Sequence, residues 1–321
     1  MRTGKELIMA SKPFTQEDKF KSWFYTTSTL CFLVFSLSAT IFVELLAIRL
    51  LFTLLSGLLL VRMFVIYHDH QHHAILNSSK LAGFIMYWFG IYILAPTSIW
   101  KRSHDFHHKH NSKLHVSDVG SFPTITKEEY ESLSSFDKFR YLAARHPINI
   151  VFGYLTIFMF SFCINSIVKS PKKHLDCGLA LIIHFAIGYW LFQHGGIEGV
   201  ALTLFLPHLI ACMLGCYLFY VQHNFPGASF KLREHWSYDF AATHSSSFFK
   251  MNSVMNWFTG NIGFHHVHHL NSRIPFYRLE EAMKAIPELQ TVSVTSFRPT
   301  CILNALKLKV WDPESDRMIP L

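Results

Sequence analysis

The sequence predicts an all-α integral membrane protein of about four transmembrane helices, with further interfacial or re-entrant helices and a polar cytoplasmic cap. Three observations lead there. Half of the 321 residues are hydrophobic, only 16% are charged and Phe alone occurs 31 times, which leaves too little polar surface to cover a soluble globule of this size. Several uncharged runs reach the roughly 20 residues that a helix needs to cross about 30 Å of hydrocarbon. Period-two alternation is sustained nowhere, and irregular backbone in lipid would leave its polar groups unpaired.

The elements follow in order. Residues 1–22 are polar and charged, without the short apolar core and small-residue cleavage site of a secretory signal, so the first apolar run reads as an uncleaved anchor. Residues 23–43 carry no charge, and 47–67 are interrupted only near the ends by Arg49 and Arg62, both placed to snorkel. Together 23–67 form a transmembrane hairpin. Segment 68–147 is cytoplasmic or interfacial; its apolar stretch 81–99 is short, contains Pro96 and is expected to lie in the interface. Within 148–221, three uncharged runs follow (148–168, 177–197 and 199–220), separated by the basic loop of Lys169, Lys172 and Lys173 and by a turn at Gly195 and Gly196. Residues 222–321 are polar, with Pro275, Pro287, Pro299 and Pro313 scattered through a charged tail, and form the cytoplasmic cap. No repeat, low-complexity tract or linker divides the chain, so 1–321 reads as one domain.

The formal charge of +8 and the pI near 9.1 suit nucleic acid, an anionic bilayer or an acidic protein. The apolar spans favour the last two, and no nucleic-acid partner is expected. Cys31, Cys163, Cys177, Cys212 and Cys216 lie in apolar stretches and no CxxC pair exists, so neither disulfides nor thiolate metal sites are expected to organise the fold.

Histidine is the outlier. There are 21, an expensive choice near a bilayer unless they bind something or titrate. Thirteen fall in three short blocks: His68 to His73, His104 to His115, and His265 to His269. On a helix His68 and His72 share a face, and the second and third blocks both contain HxxHH, whose spacing lets one turn offer two or three imidazoles. Each block adjoins an apolar segment, where side chains from different helices can converge. The blocks offer more imidazoles than one ion takes, so two metals are implied; imidazole suits zinc, copper, iron and nickel alike. A shared site needs an even number of crossings between blocks. The basic loop, cytoplasmic by the positive-inside rule, makes 148–168 the re-entrant or interfacial run.

The blocks, their order and their placement resemble the membrane fatty acid desaturase family, whose pattern is HxxxH or HxxxxH, then HxxHH twice. The resemblance runs from about Tyr67 to Leu279. It includes Val221-Gln222-His223-Asn224-Phe225, Glu234-His235-Trp236-Ser237-Tyr238 and Gly260-Asn261-Ile262-Gly263-Phe264, which look like segments of bacterial acyl-lipid desaturases. It implies a di-iron centre on the cytoplasmic face, O2 as co-substrate, a lipid acyl chain in a bent tunnel and an external electron donor of ferredoxin or cytochrome b5 type. The metal ligands it implies are His68 and His72, with His73 possible; His104, His107 and His108; and His265, His268 and His269. His223, at the end of its apolar run as His68 is of the earlier one, would be a ninth. No catalytic residue beyond the ligands is implied. His70 and Gln71 depart from the small residues many relatives carry, and His110 and His115 are extras.

Around the blocks, Asp69 and Asp105 are equally suited to orienting an imidazole and to standing on a helix surface. His184 and His208, within apolar runs, read as hydrogen-bonded core histidines. His174 in the basic loop is expected to be dispensable for metal and activity. No HPGG haem motif, GxGxxG fingerprint or ferredoxin-like cysteine set is present, which motivates the external donor. Two alternatives stand: a di-iron hydroxylase or ketolase acting on lipid or carotenoid, and a membrane metal transporter or sensor.

Overall fold

In the computed structural model, which describes residues 2–114, 122–231 and 233–321, the chain is almost wholly helical. After a short helix at Gly4–Ser11, helix α1 spans Lys19–Phe42, opened by Asp18, whose carboxylate accepts from the Lys21 amide. Helix α2 spans Leu46–Gln71. The α1 face toward α2 is built from Ser22, Thr26, Thr29 and Ser36, all buried, while Phe20, Phe24, Phe35 and Phe42 face outward. Small polar residues allow close approach and bond across the pair: Ser56 donates to Ser36 (2.8 Å) and Ser36 to the Phe52 carbonyl (2.9 Å).

Helix α3 (Lys80–Tyr92) and helix α4 (Thr97–His110) meet at 93°, the chain turning where Pro96 cannot continue a helix. Helix α5, Tyr154–Lys169, is apolar but short of a span. Helices α6 (Leu175–Val200) and α7 (Leu206–His223) belong to one 49-residue helical stretch. A straight helix of that length would run roughly 74 Å, twice a bilayer. It breaks at Gly196, whose φ of 59° and ψ of −159° only glycine adopts readily, and folds back so that the His184 and His208 rings lie 5.2 Å apart. The expected Gly-Gly turn is therefore real; among the described residues α1, α2 and the 49-residue stretch are long and apolar enough to cross a membrane, and the break divides that stretch into α6 and α7.

Both hairpins turn at the same end of the bundle, where Arg49 pairs with Glu198 at 2.5 Å. Helices α2 and α7 pack tightly: a Cβ on Gly57 would lie 2.7 Å from Ile210 Cβ. They run side by side and both end among the histidines. The run expected to be re-entrant starts and finishes at that histidine end. Arg145 before it bonds Asn224 (2.6 Å) at the end of α7, and His174 after it bonds Ser98 (2.9 Å) in the first turn of α4. Between these points Tyr154 reaches His184 deep between α6 and α7. Helix α3 packs against the start of α7, where the Tyr92 carbonyl meets His208 Nε2 at 3.1 Å.

One expectation needs correction. Arg62 does not snorkel: it is buried, donates to Thr29 Oγ1 (3.1 Å) and to the Trp257 carbonyl, and lies 4.1 Å over the Trp257 ring. Enough polar and aromatic partners converge on it to hold the guanidinium within the bundle. His174, in the basic loop, is also buried.

The cap covers the histidine end. It carries helix α8 (His265–Leu270) and two small sheets, Phe248–Lys250 parallel to Val294–Ser296 and Val310–Asp312 antiparallel to Arg317–Ile319.

Candidate metal centre

Four elements bring the imidazoles together. The end of α2 supplies His68 and, one residue beyond, His72; α4 supplies His104, His107 and His108; α7 ends on His223; α8 supplies His265, His268 and His269. They form two adjacent groups, His68, His72, His104, His108 and His268 in one, and His107, His223, His265 and His269 in the other, with ligand atoms within 4.8 Å of one another in each. All nine residues singled out from the sequence are in these groups. The rings of His108 and His269 stack across the boundary at 4.3 Å.

The donor set fits metal ions. In the second group Nε2 of His107 lies 3.1 Å from that of His223 and 3.3 Å from that of His269, and Nε2 of His265 lies 2.9 Å from His223 and 3.1 Å from His269. Four nitrogens placed tetrahedrally about 2.1 Å from an ion would be roughly 3.4 Å apart. The first group repeats the spacing, with His108 Nε2 3.1 Å from His104 and 3.0 Å from His268. Nε2 of His72 is buried without a partner. A neutral ring nitrogen offers either one N–H or one lone pair, so an Nε2 that meets two others, as His223 Nε2 meets His107 and His265, cannot hydrogen-bond both. Burial pushes His72, His265, His268 and His269 well below the ordinary imidazole range, and neighbouring imidazoles push further. They are neutral, with lone pairs available.

Other contacts orient the rings. His68 Nδ1 meets Asp69 Oδ1 at 3.0 Å, and Asp69 Oδ2 accepts from the Phe276 amide at 2.6 Å. His223 Nδ1 donates to the Ser245 carbonyl at 3.0 Å, which fixes Nε2 as the nitrogen facing the group. Trp100 stacks on His104 at 4.6 Å. Asp69 is thus an orienting carboxylate, whereas Asp105 pairs with Lys101 (2.9 Å) and has no imidazole contact among the described residues. No spacing rule could have found the Ser245 carbonyl, because a backbone acceptor leaves no mark on residue type.

Histidines outside the groups have other tasks. His73 is exposed at φ 59°. His70 bonds the Ile75 carbonyl and His110 the Phe106 carbonyl; His266 bonds the Leu289 carbonyl and ties α8 to the tail. His208 bonds the carbonyls of Leu204 and Tyr92, and His184 the Tyr154 hydroxyl, as core histidines do. His115 lies outside the described residues. A third acidic and histidine cluster, His174, Asp176 and Cys177, serves α4: Asp176 accepts from the Ser98 amide (3.0 Å) and hydroxyl (2.5 Å) at the start of that helix.

From the imidazoles an apolar cavity, part of it open, descends between α2 and α7. His68, His104, His107 and His265 head it; Phe64, Phe158, Phe162, Ala211, Cys212 and Gly215 are among its deeper walls. Along α7 it extends from Gln222 to Ala211, roughly 16 Å at 1.5 Å per residue. Such a slot suits a long unbranched hydrocarbon.

A histidine-clustered centre at the head of a hydrocarbon slot, within membrane-length helices, defines a class of membrane oxidoreductase. The chain belongs to the fatty acid desaturase family, whose model matches residues 45–299. It is 30% identical over 268 residues to the fatty acid desaturase of Bacillus subtilis (strain 168), covering 83% of this chain and 76% of that one. Against the endoplasmic reticulum omega-3 fatty acid desaturase of Vigna radiata it is 28% identical over 262 residues, 72% of this chain and 62% of that protein. It is 24% identical over 238 residues to the sn-1 oleoyl-lipid 12-desaturase of Picosynechococcus, covering 73% and 67%.

Proposed function

We propose that the chain desaturates the acyl chain of a membrane lipid, using O2 at two irons held by the nine imidazoles. The observation that carries this reading is the position of both histidine groups at the head of the apolar cavity. His68, His72, His104, His108 and His268 would hold one iron, and His107, His223, His265 and His269 the other. Bound iron supplies the oxygen activation needed to take hydrogen from unactivated methylenes. The protein does the rest. Phe64, Phe158 and Phe162 exclude water and hold the hydrocarbon extended beneath the imidazoles, an orientation worth several orders of magnitude in rate. Asp69 and the Ser245 carbonyl hold the rings of His68 and His223 in the required tautomer.

The overall change is –CH2–CH2– + O2 + 2 e⁻ + 2 H⁺ → –CH=CH– + 2 H2O, so two electrons must enter from outside, from a ferredoxin or cytochrome b5 type donor. That the three relatives described above are desaturases supports desaturation over hydroxylation. A cytoplasmic active site is supported by the charges at the bundle's two ends: Lys19, Lys21, Lys101 and Lys109 lie at the histidine end, while at the other end Arg49 is paired with Glu198. Expression in a host with simple saturated lipids, followed by mass spectrometry, tests the reading. Loss of two hydrogens from an acyl chain is expected, and gain of one oxygen would make the chain a hydroxylase.

A further inference from the structure

Two segments of the cap turn back from the histidine end and run down against the bundle. About 20 helical residues cross the hydrocarbon of a bilayer. Counted from Leu46 at the far turn they reach Val65 in α2, and counted from Ile197, just past the break at Gly196, they reach Cys216 in α7. The cap meets both helices at that depth.

The first segment leaves the histidine end at Phe249, whose amide donates to the Gly263 carbonyl (2.8 Å). It descends into a short helix, Ser253–Phe258, opened by the Asn252 side chain, which accepts from the Met255 amide (2.8 Å). There the Trp257 carbonyl accepts from Arg62, which stands six residues before His68 on α2 and so roughly 9 Å below it. The chain climbs back past Val65, whose Cγ1 would lie 2.8 Å from a Cβ on Gly260, and enters α8 at His265. The second segment starts level with Gln222. Ser247 donates its amide to the Gln222 carbonyl (3.0 Å), and its hydroxyl lies 3.0 Å from that of Thr295. From Thr295 the chain descends to Phe297, whose ring lies 6.1 Å from that of Tyr217, again roughly 9 Å below the imidazole that ends the helix. It climbs in the helix Pro299–Lys307, where the Ala305 carbonyl accepts from Asn224 (2.7 Å).

Both dips have apolar, uncovered tips. Val254 and Trp257 on the first are 61% and 40% exposed, and Phe297 and Leu303 on the second 36% and 56%. Side chains of this size are costly to leave in water, and aromatic residues concentrate where hydrocarbon meets headgroups. The charges agree with that surrounding. No Asp or Glu occurs between Phe240 and Leu279 or between Leu289 and Trp311, and the charged residues nearest the tips, Lys250, Arg298 and Lys307, are exposed cations. Their long stems can carry the charge up to anionic headgroups.

We propose that both tips are inserted in the lipid of the leaflet at the histidine end, so that the bilayer anchors the cap at two points. The first anchor acts close to the metal centre. Only Thr259–Phe264 separate it from His265, and they include left-handed turns at Gly260 (φ 51°) and Asn261 (φ 56°), the latter held by its side-chain bond to the Phe276 carbonyl (3.2 Å). The depth of the tip in lipid thereby bears on the placement of His265, His268 and His269.

The test is nitroxide accessibility of the full-length chain in vesicles of phosphatidylcholine and phosphatidylglycerol. Labels are carried by Val254→Cys or Leu303→Cys, with Glu314→Cys, exposed in the last hairpin, as the aqueous control. Cys31 and Cys301 are replaced by serine, the other four native thiols being buried. Oxygen concentrates in hydrocarbon and a chelated nickel ion in water. Oxygen should relax the labels at 254 and 303 more than nickel does, and the order should reverse at 314. Nickel dominating at 254 and 303 would overturn the proposal. Shielding from both probes would overturn it too, since a second copy or another protein would then cover the tips. If a labelled chain does not fold, native tryptophan emission decides: lipids brominated along the acyl chain should quench a component that Trp257→Phe lacks, and equal quenching of both chains would overturn insertion of the first tip. Label depth is read without iron or turnover, so a product assay on the same vesicles tests the desaturase reading separately.

Discussion

Replacing Gly215 with leucine should shorten the acyl slot. Gly215 lies in the cavity wall, and a Cβ built there meets nothing within 4 Å. It is eight residues before His223, roughly 12 Å below the imidazoles. Leucine suits a helix better than glycine by several tenths of a kcal/mol, so the fold should not suffer. Its side chain would displace about three methylenes of a substrate that reaches this depth, at about 0.8 kcal/mol each, or about 2.4 kcal/mol and on the order of 50-fold in kcat/KM. Chains too short to reach Gly215 should be unaffected. The assay is competitive desaturation of saturated chains of graded length on one headgroup, read by gas chromatography with iron content measured alongside. A uniform loss across all lengths, or none at any length with iron unchanged, would refute the assignment of the slot.

Three further outcomes follow from the site. His223→Ala should lower bound iron and abolish desaturation without loss of membrane insertion, whereas exposed His73→Ala should keep both; full iron and activity in His223→Ala would remove it from the ligand set. Asp69→Asn should weaken iron retention roughly 10–100-fold in chelator challenge, as loss of an orienting partner does, and an unchanged release rate would make Asp69 merely structural. Because His72, His265, His268 and His269 titrate lower in the fold than free histidine, the unfolded chain binds more protons below about pH 6.5. Stability of the metal-free protein should therefore be full above that pH and fall as pH drops below it, by up to about 1.4 kcal/mol per unit per group. A thermal midpoint flat between pH 7.5 and 5.5 would contradict the burial of neutral imidazoles.

Much of this was legible because it is local. Charge-free runs, the Gly195-Gly196 turn and the spacing within each histidine block depend on residues near in sequence, and the helix ends then carried His68, His223 and the blocks to one place. What the sequence hid depends on distant partners. Arg62 reads as a residue that should reach for water, and only Thr29 and Trp257, brought in by α1 and the cap, explain its burial. The burial of His174 likewise depends on Ser98 in α4, at which nothing in its own loop hints. The packing of α3 depends in the same way on His208 in α7.

The claim on which the rest depends is that these nine imidazoles hold two irons, and the most direct measurement is the iron-to-protein ratio of the purified full-length chain reconstituted anaerobically with ferrous iron. Two irons per chain are expected, with desaturation of an acyl chain appearing as the second iron is bound. Saturation at one iron or none in protein that still desaturates would contradict the two-group site.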